Sequence, residues 1–111
     1  GADPDAYVAD ALTGESADFI SENKNKPWLT VLSHYLVRSP VQPKPDKLER
    51  YKNKPTTDQI NPGYASMVES VDDSVGQVLQ HIKELGLEQN TLVIFTSDNG
   101  GSRGCAARAW V

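Results

Sequence analysis

The stretch that most constrains this chain runs from Asn61 to Thr96, NPGYASMVESVDDSVGQVLQHIKELGLEQNTLVIFT. It carries the start, the period and the stop of one long helix, followed at once by a strand. Asn61 offers a side-chain oxygen to the free N–H groups of a first turn, and Pro62 suits the first helical position. Tyr64, Met67, Val68, Val71, Val75, Val78, Leu79, Ile82 and Leu85 recur at three- and four-residue steps, the period of a core-facing helical stripe. Gly86 stands where a left-handed helix stop belongs, with Leu87 behind it as the apolar partner of such a stop. His81 falls among the polar residues of this helix and is expected to face water. Asn90 then turns the chain into residues 91–96, TLVIFT, too apolar for a half-buried strand and so read as one buried on both faces.

Upstream the signals alternate. Residues 10–25 place Leu12, Phe19 and Ile20 on roughly one side of a short amphipathic helix weakened by Gly14. Lys26-Pro27 ends it, and residues 28–35, WLTVLSHY, read as a second strand buried on both faces. Residues 39–62 hold five prolines and no apolar period, which predicts an irregular excursion with one helical turn near KLERY. Strand, excursion, long helix and strand make a βαβ crossover. The class is therefore α/β, with two main strands running parallel, two helices and a right-handed connection.

Composition narrows the partners. With 111 residues the chain forms one domain at most, and 38% apolar with 23% charged residues is ordinary for a globular protein. A net charge of −4 with acids and bases interspersed disfavours nucleic acid. No apolar run approaches the roughly 20 residues of a membrane span, and the opening GADPDAY shows no targeting pattern. The single Cys105 rules out an internal disulfide framework and leaves the compartment unknown.

In parallel sheets, ligands gather at the carboxyl ends of strands. The first strand ends in Ser33-His34-Tyr35 and leads to Arg38; the second ends in Ser97-Asp98-Asn99. A carboxylate beside an amide oxygen suits a hard cation, which takes six to eight oxygen ligands. The same Asp-Asn-Gly residues also suit a plain turn. His34 near a strand end fits either a functional or a satisfied structural histidine.

From Tyr7 to Gly101 the chain resembles an internal section of the sulfatase family, within the alkaline-phosphatase-like superfamily. The resemblance is carried in order by YVADALTGESADFISENKNKPW, LSHYLVRSPVQ, the helix and strand of residues 61–95, and SDNGG. It implies a partial three-layer α/β sandwich over residues 1–101, and it makes Asp98 and Asn99 two ligands of the family's single Ca2+. Asn99 favours the sulfatase branch, because related phosphatases carry a histidine there, and an imidazole suits Zn2+ where an amide oxygen suits Ca2+.

Three departures accompany the likeness. The family's nucleophile, a formylglycine made from the Cys of a C-x-P-S-R-like motif, has no counterpart in these residues, and CAARA around Cys105 does not match it. Where the family reads VHTP this chain reads VRSP. Arg38 can bind a sulfate, but a guanidinium cannot exchange protons near neutrality. Residues 102–111 lack the family's GGKG-like lysine and form a non-family tail, whose Arg- and Ala-rich composition resembles out-of-frame translation or a truncation. The expectation is a sulfatase fragment with half of a calcium rim, inactive alone. The alternative is a non-catalytic module that binds an anion or a partner through Arg38, His34 and residues 39–60. Two apolar strands with bare edges further predict a homo-oligomer, built by strand addition or segment exchange.

Overall fold

The computed structural model describes residues 7–38, 40–55, 61–98 and 100. Three helices form among them, α1 (Val8–Asn23), α2 (Pro45–Lys52) and α3 (Pro62–Glu84), with a single 3-10 turn at Glu88–Asn90. The chain divides into two compact units, one of residues 1–35 with 72–95 and one of residues 36–71 with 96–111.

Both ends of α3 follow local chemistry. The amide of Tyr64 donates to Asn61 Oδ1 at 3.1 Å, which is the side-chain cap expected of Asn61. At the other end Gly86 takes φ +69°. Its N–H donates to the Lys83 carbonyl at 2.9 Å, and Leu87 N–H donates to the Ile82 carbonyl at 3.0 Å. These are the paired bonds of a glycine stop, which give partners to carbonyls left over by the last turn.

In the first unit α1 packs beside the second half of α3. Ile20 is fully buried, and Ala9, Thr13, Ser74 and Ile82 are buried with it. Of the stripe expected on α1, Leu12 is half-buried and Phe19 is exposed. Two cross-links tie the helices: Thr13 to Ser74 and Ser21 to His81. Because both partners advance in the same direction along the chain, α1 and α3 run parallel. His81 therefore does not face water as expected. It is half-buried and meets the Ser21 hydroxyl at 2.7 Å.

The second unit holds α2 and the first half of α3. The expected single turn near KLERY is a helix of 8 residues, started by Pro45 at its first turn and carrying Arg50 and Lys52 in its last. Lys47 is buried and lies 3.9 Å from Glu69, which also receives Arg50 at 2.8 Å. Tyr64 and Met67 are buried as the stripe implies, while Val68 is exposed. Ser66 and Ser70 are buried instead, and each hydroxyl bonds a carbonyl of its own helix, so neither is left unsatisfied. At Gly63 the excursion passes so close that a Cβ would fall 2.8 Å from Val41 Cγ1.

The two apolar runs depart from expectation. No strand ladder forms among the described residues, and neither run is buried on both faces. Residues 29–36 alternate: Thr30, Leu32, His34 and Leu36 turn inward, while Leu29, Val31 and Tyr35 are 82%, 79% and 74% exposed. That is the period of a strand with one face covered. In the 91–96 run Leu92, Val93, Ile94 and Phe95 are all exposed. Burial on both faces needs a layer on each side and pairing on each edge, and a helix pair supplies one layer.

Candidate functional site

His34 ends the inward-facing set of the first run. Its Nε2 lies 3.0 Å from Ser74 Oγ on α3. Ser74 Oγ in turn lies 2.5 Å from Thr13 Oγ1 on α1, and Thr13 donates to the Ala9 carbonyl at 2.6 Å. The proton order follows from counting. A carbonyl only accepts, so the one hydroxyl proton of Thr13 goes to Ala9. Thr13 must then accept from Ser74, and Ser74 from His34 Nε2–H. The neutral imidazole is left with its lone pair on Nδ1, which is buried without a partner among the described residues. Burial also holds the imidazole below its ordinary pKa, because a charged ring would lose its hydration there.

A second link repeats the pattern. Ser21 donates to the Ala17 carbonyl at 3.0 Å, so it accepts from His81 Nε2–H. The Thr13 and Ser21 hydroxyls of α1 thus each spend their proton on their own helix and present a lone pair to α3. Thr13, Ser21 and Ser74 were not singled out in the sequence. The available signal was the row Ser66, Ser70 and Ser74 at four-residue steps on α3.

After the first run the chain turns at Leu36 and Val37. Val37 has φ +60°, a left-handed conformation that costs a β-branched residue about 1–3 kcal/mol. Arg38 follows and is exposed. At the end of the second run Asp98 is exposed, and Asn99, its expected co-ligand, lies outside the described residues. Gly100 takes φ +80° and its N–H donates to Ser97 Oγ at 3.1 Å. That bond is the side-chain-to-backbone link a serine makes across a turn. Cys105 and the whole of the expected tail, residues 102–111, also lie outside the described residues.

Asp98 has the oxygen chemistry that Ca2+ requires. One described carboxylate is a fraction of a calcium shell, and among the described residues no three His, Cys, Asp or Glu side chains gather to hold a metal. Asp72 and Asp73 line a different feature, a groove of about 600 Å3 in the first unit that runs along the α1 and α3 seam past Thr13, Gly76 and His81. No helix among the described residues is long and apolar enough to cross a membrane.

The chain is similar to known proteins over most of its length. The description of the Sulfatase family matches residues 3–108. Over 97 residues the chain is 33% identical to the uncharacterized sulfatase YdeN of Escherichia coli K12, covering 85% of this chain and 17% of that protein. Over 90 residues it is 38% identical to the steryl-sulfatase of Homo sapiens, covering 80% of this chain and 14% of that one. The crystal structure of Ps i-CgsB in complex with k-i-k-neocarrahexaose superposes with a TM-score of 0.79 at 33% identity, over 92% of this chain and 23% of the other. That likeness gives the fold class as α/β. The chain spans less than a quarter of the length of each of these relatives. With a family match that covers nearly all of its residues, the chain belongs to the sulfatase family.

Proposed function

We propose that this chain supplies part of a sulfate-ester site, in which Arg38 binds the anion and Asp98 and Asn99 give oxygen ligands to one Ca2+. The family match over residues 3–108 carries this reading. The placement of Arg38 and Asp98 supports it, because both are exposed and each follows one of the two apolar runs. In this proposal the two runs are strands of a three-layer α/β sandwich, and the alternating exposure of residues 29–36 accords with a strand resting on a helix layer. A guanidinium offers fixed charge and paired donors to a sulfate, which is binding without proton transfer. Bound Ca2+ would add charge stabilisation at the ester oxygens. Residues 1–111 contain no cysteine motif for a formylglycine nucleophile, so the chain alone is expected to bind and not to turn over.

The test is hydrolysis of aryl sulfates by the purified chain with Ca2+ present. Background rates are expected for the parent and for Arg38→His, since a proton donor contributes about 10²- to 10⁴-fold only on top of a working nucleophile. Turnover that Asp98→Ala abolishes would overturn the inactivity and show a nucleophile within these residues.

A further inference from the structure

We propose that His34 is a positioning residue: donating Nε2–H into the hydroxyl chain of Ser74 and Thr13, it fixes which face of residues 28–35 lies on the helices, and so the phase in which the chain enters the turn before Arg38.

Apolar burial does not choose between the faces of this run. Leu29, Val31 and Tyr35 lie on one side and Trp28 and Leu32 on the other, so both sets are apolar and either could cover α1 and α3. Strand side chains alternate, and a slip of one residue would exchange the two sets completely. His34 breaks the tie. Its ring reaches Ser74 Oγ at 3.0 Å only when the even-numbered residues face inward. The hydroxyl chain is already directed, because Thr13 has given its proton to Ala9. Ser74 therefore presents a lone pair and requires a donor, which the aliphatic side chains of the run cannot supply; on the other face the Ser33 hydroxyl is shorter, and the Tyr35 hydroxyl longer, than the reach of the His34 ring. The ring is equally constrained, with Nε2 engaged and Nδ1 buried without a partner among the described residues. Such a ring suits holding a segment in place better than passing protons.

Nitrogen-edited NMR of the full chain reads the tautomer and the exchange of the Nε2 proton with water. The Nε2–H tautomer is expected to dominate, and Ser74→Ala is expected to speed exchange about fivefold, the worth of one hydrogen bond. A dominant Nδ1–H tautomer, or exchange unaffected by Ser74→Ala, would overturn the lock.

The positioning step is read by titration with inorganic sulfate. His34→Gln can donate from the place of Nε2 and is expected to keep the parental affinity, whereas His34→Leu fills the space without a donor and is expected to weaken it about fivefold. Equal affinities for these two variants overturn the positioning. This arm rests on Arg38 as the anion-binding group. If Arg38→Ala binds sulfate as well as the parent, the site reading falls and the positioning step falls with it, while the tautomer measurement decides the lock independently.

Discussion

Ser74 Oγ stands 3.0 Å from His34 Nε2 and 2.5 Å from Thr13 Oγ1, so one hydroxyl joins the first apolar run to both helices of its unit. Side chains far apart in sequence are linked by directed bonds, and the carbonyl of Ala9 sets the direction for all of them. Removing Ser74 leaves the His34 Nε2–H without its acceptor, which costs about 1–3 kcal/mol. The consequences reach acid stability first.

Stability is expected to fall on mild acidification. Burial lowers the His34 pKa below the ordinary 6.5, so the unfolded chain takes up this proton at higher pH than the folded one. The contribution is complete above the ordinary value and is lost as the pH falls through the lowered one. Urea midpoints measured from about pH 8 down to about pH 5, spanning the ordinary histidine range, should be level at first and then drop. His34→Gln should flatten the drop. An undiminished drop in that variant would assign it to another group.

Two glycines should respond oppositely to alanine. At Gly63 the added Cβ meets Val41 Cγ1 at 2.8 Å and Asn61 Oδ1 at 3.2 Å, so Gly63→Ala is expected to destabilise by about 1–3 kcal/mol. At Gly76, inside α3, nothing lies within 4 Å, and Gly76→Ala should stabilise by about 0.5–1 kcal/mol through helix propensity. Thermal melting of the two variants checks the sign. A stable Gly63→Ala would mean that the excursion yields without loss.

Calcium binding is expected to be weak. With Asp98 and Asn99 as protein ligands, Ca2+ would keep most of its coordination positions filled by water, giving a dissociation constant of about 10⁻³ M. Calorimetry measures this directly, and Asp98→Ala should remove the signal. A micromolar constant would require further oxygen ligands beyond these two.

Self-association is expected from the bare runs. Leu29, Val31 and Tyr35 are exposed on one run and Leu92, Ile94 and Phe95 on the other, with no charged gatekeeper within residues 28–35 or 91–96. Light scattering coupled to size exclusion should show a homo-oligomer that Val31→Lys with Ile94→Lys dissociates. A species of 12.1 kDa that persists at micromolar concentration would refute it.

The sequence alone specifies α3, from the Asn61 cap to the Gly86 stop, because each end is decided by bonds among neighbouring residues. It also placed α1 to within a few residues. It undercounted α2, whose short span carries Pro45 as a start but only Leu48 and Tyr51 as apolar residues, too few to show a period. The resemblance placed Arg38, Asp98 and Asn99 as site residues, and Arg38 and Asp98 are exposed beyond the two runs. Tertiary structure alone decided what the hydroxyls and histidines do. A serine or threonine on a helix can bond its own carbonyl and still offer a lone pair to any neighbour, so nothing local distinguishes Ser74, which meets His34, from Ser70, which bonds the Ser66 carbonyl of its own helix. The same holds for the runs. Apolar residues on both faces promise burial on both, and only the packed layers select the face that is covered, here the one carrying His34.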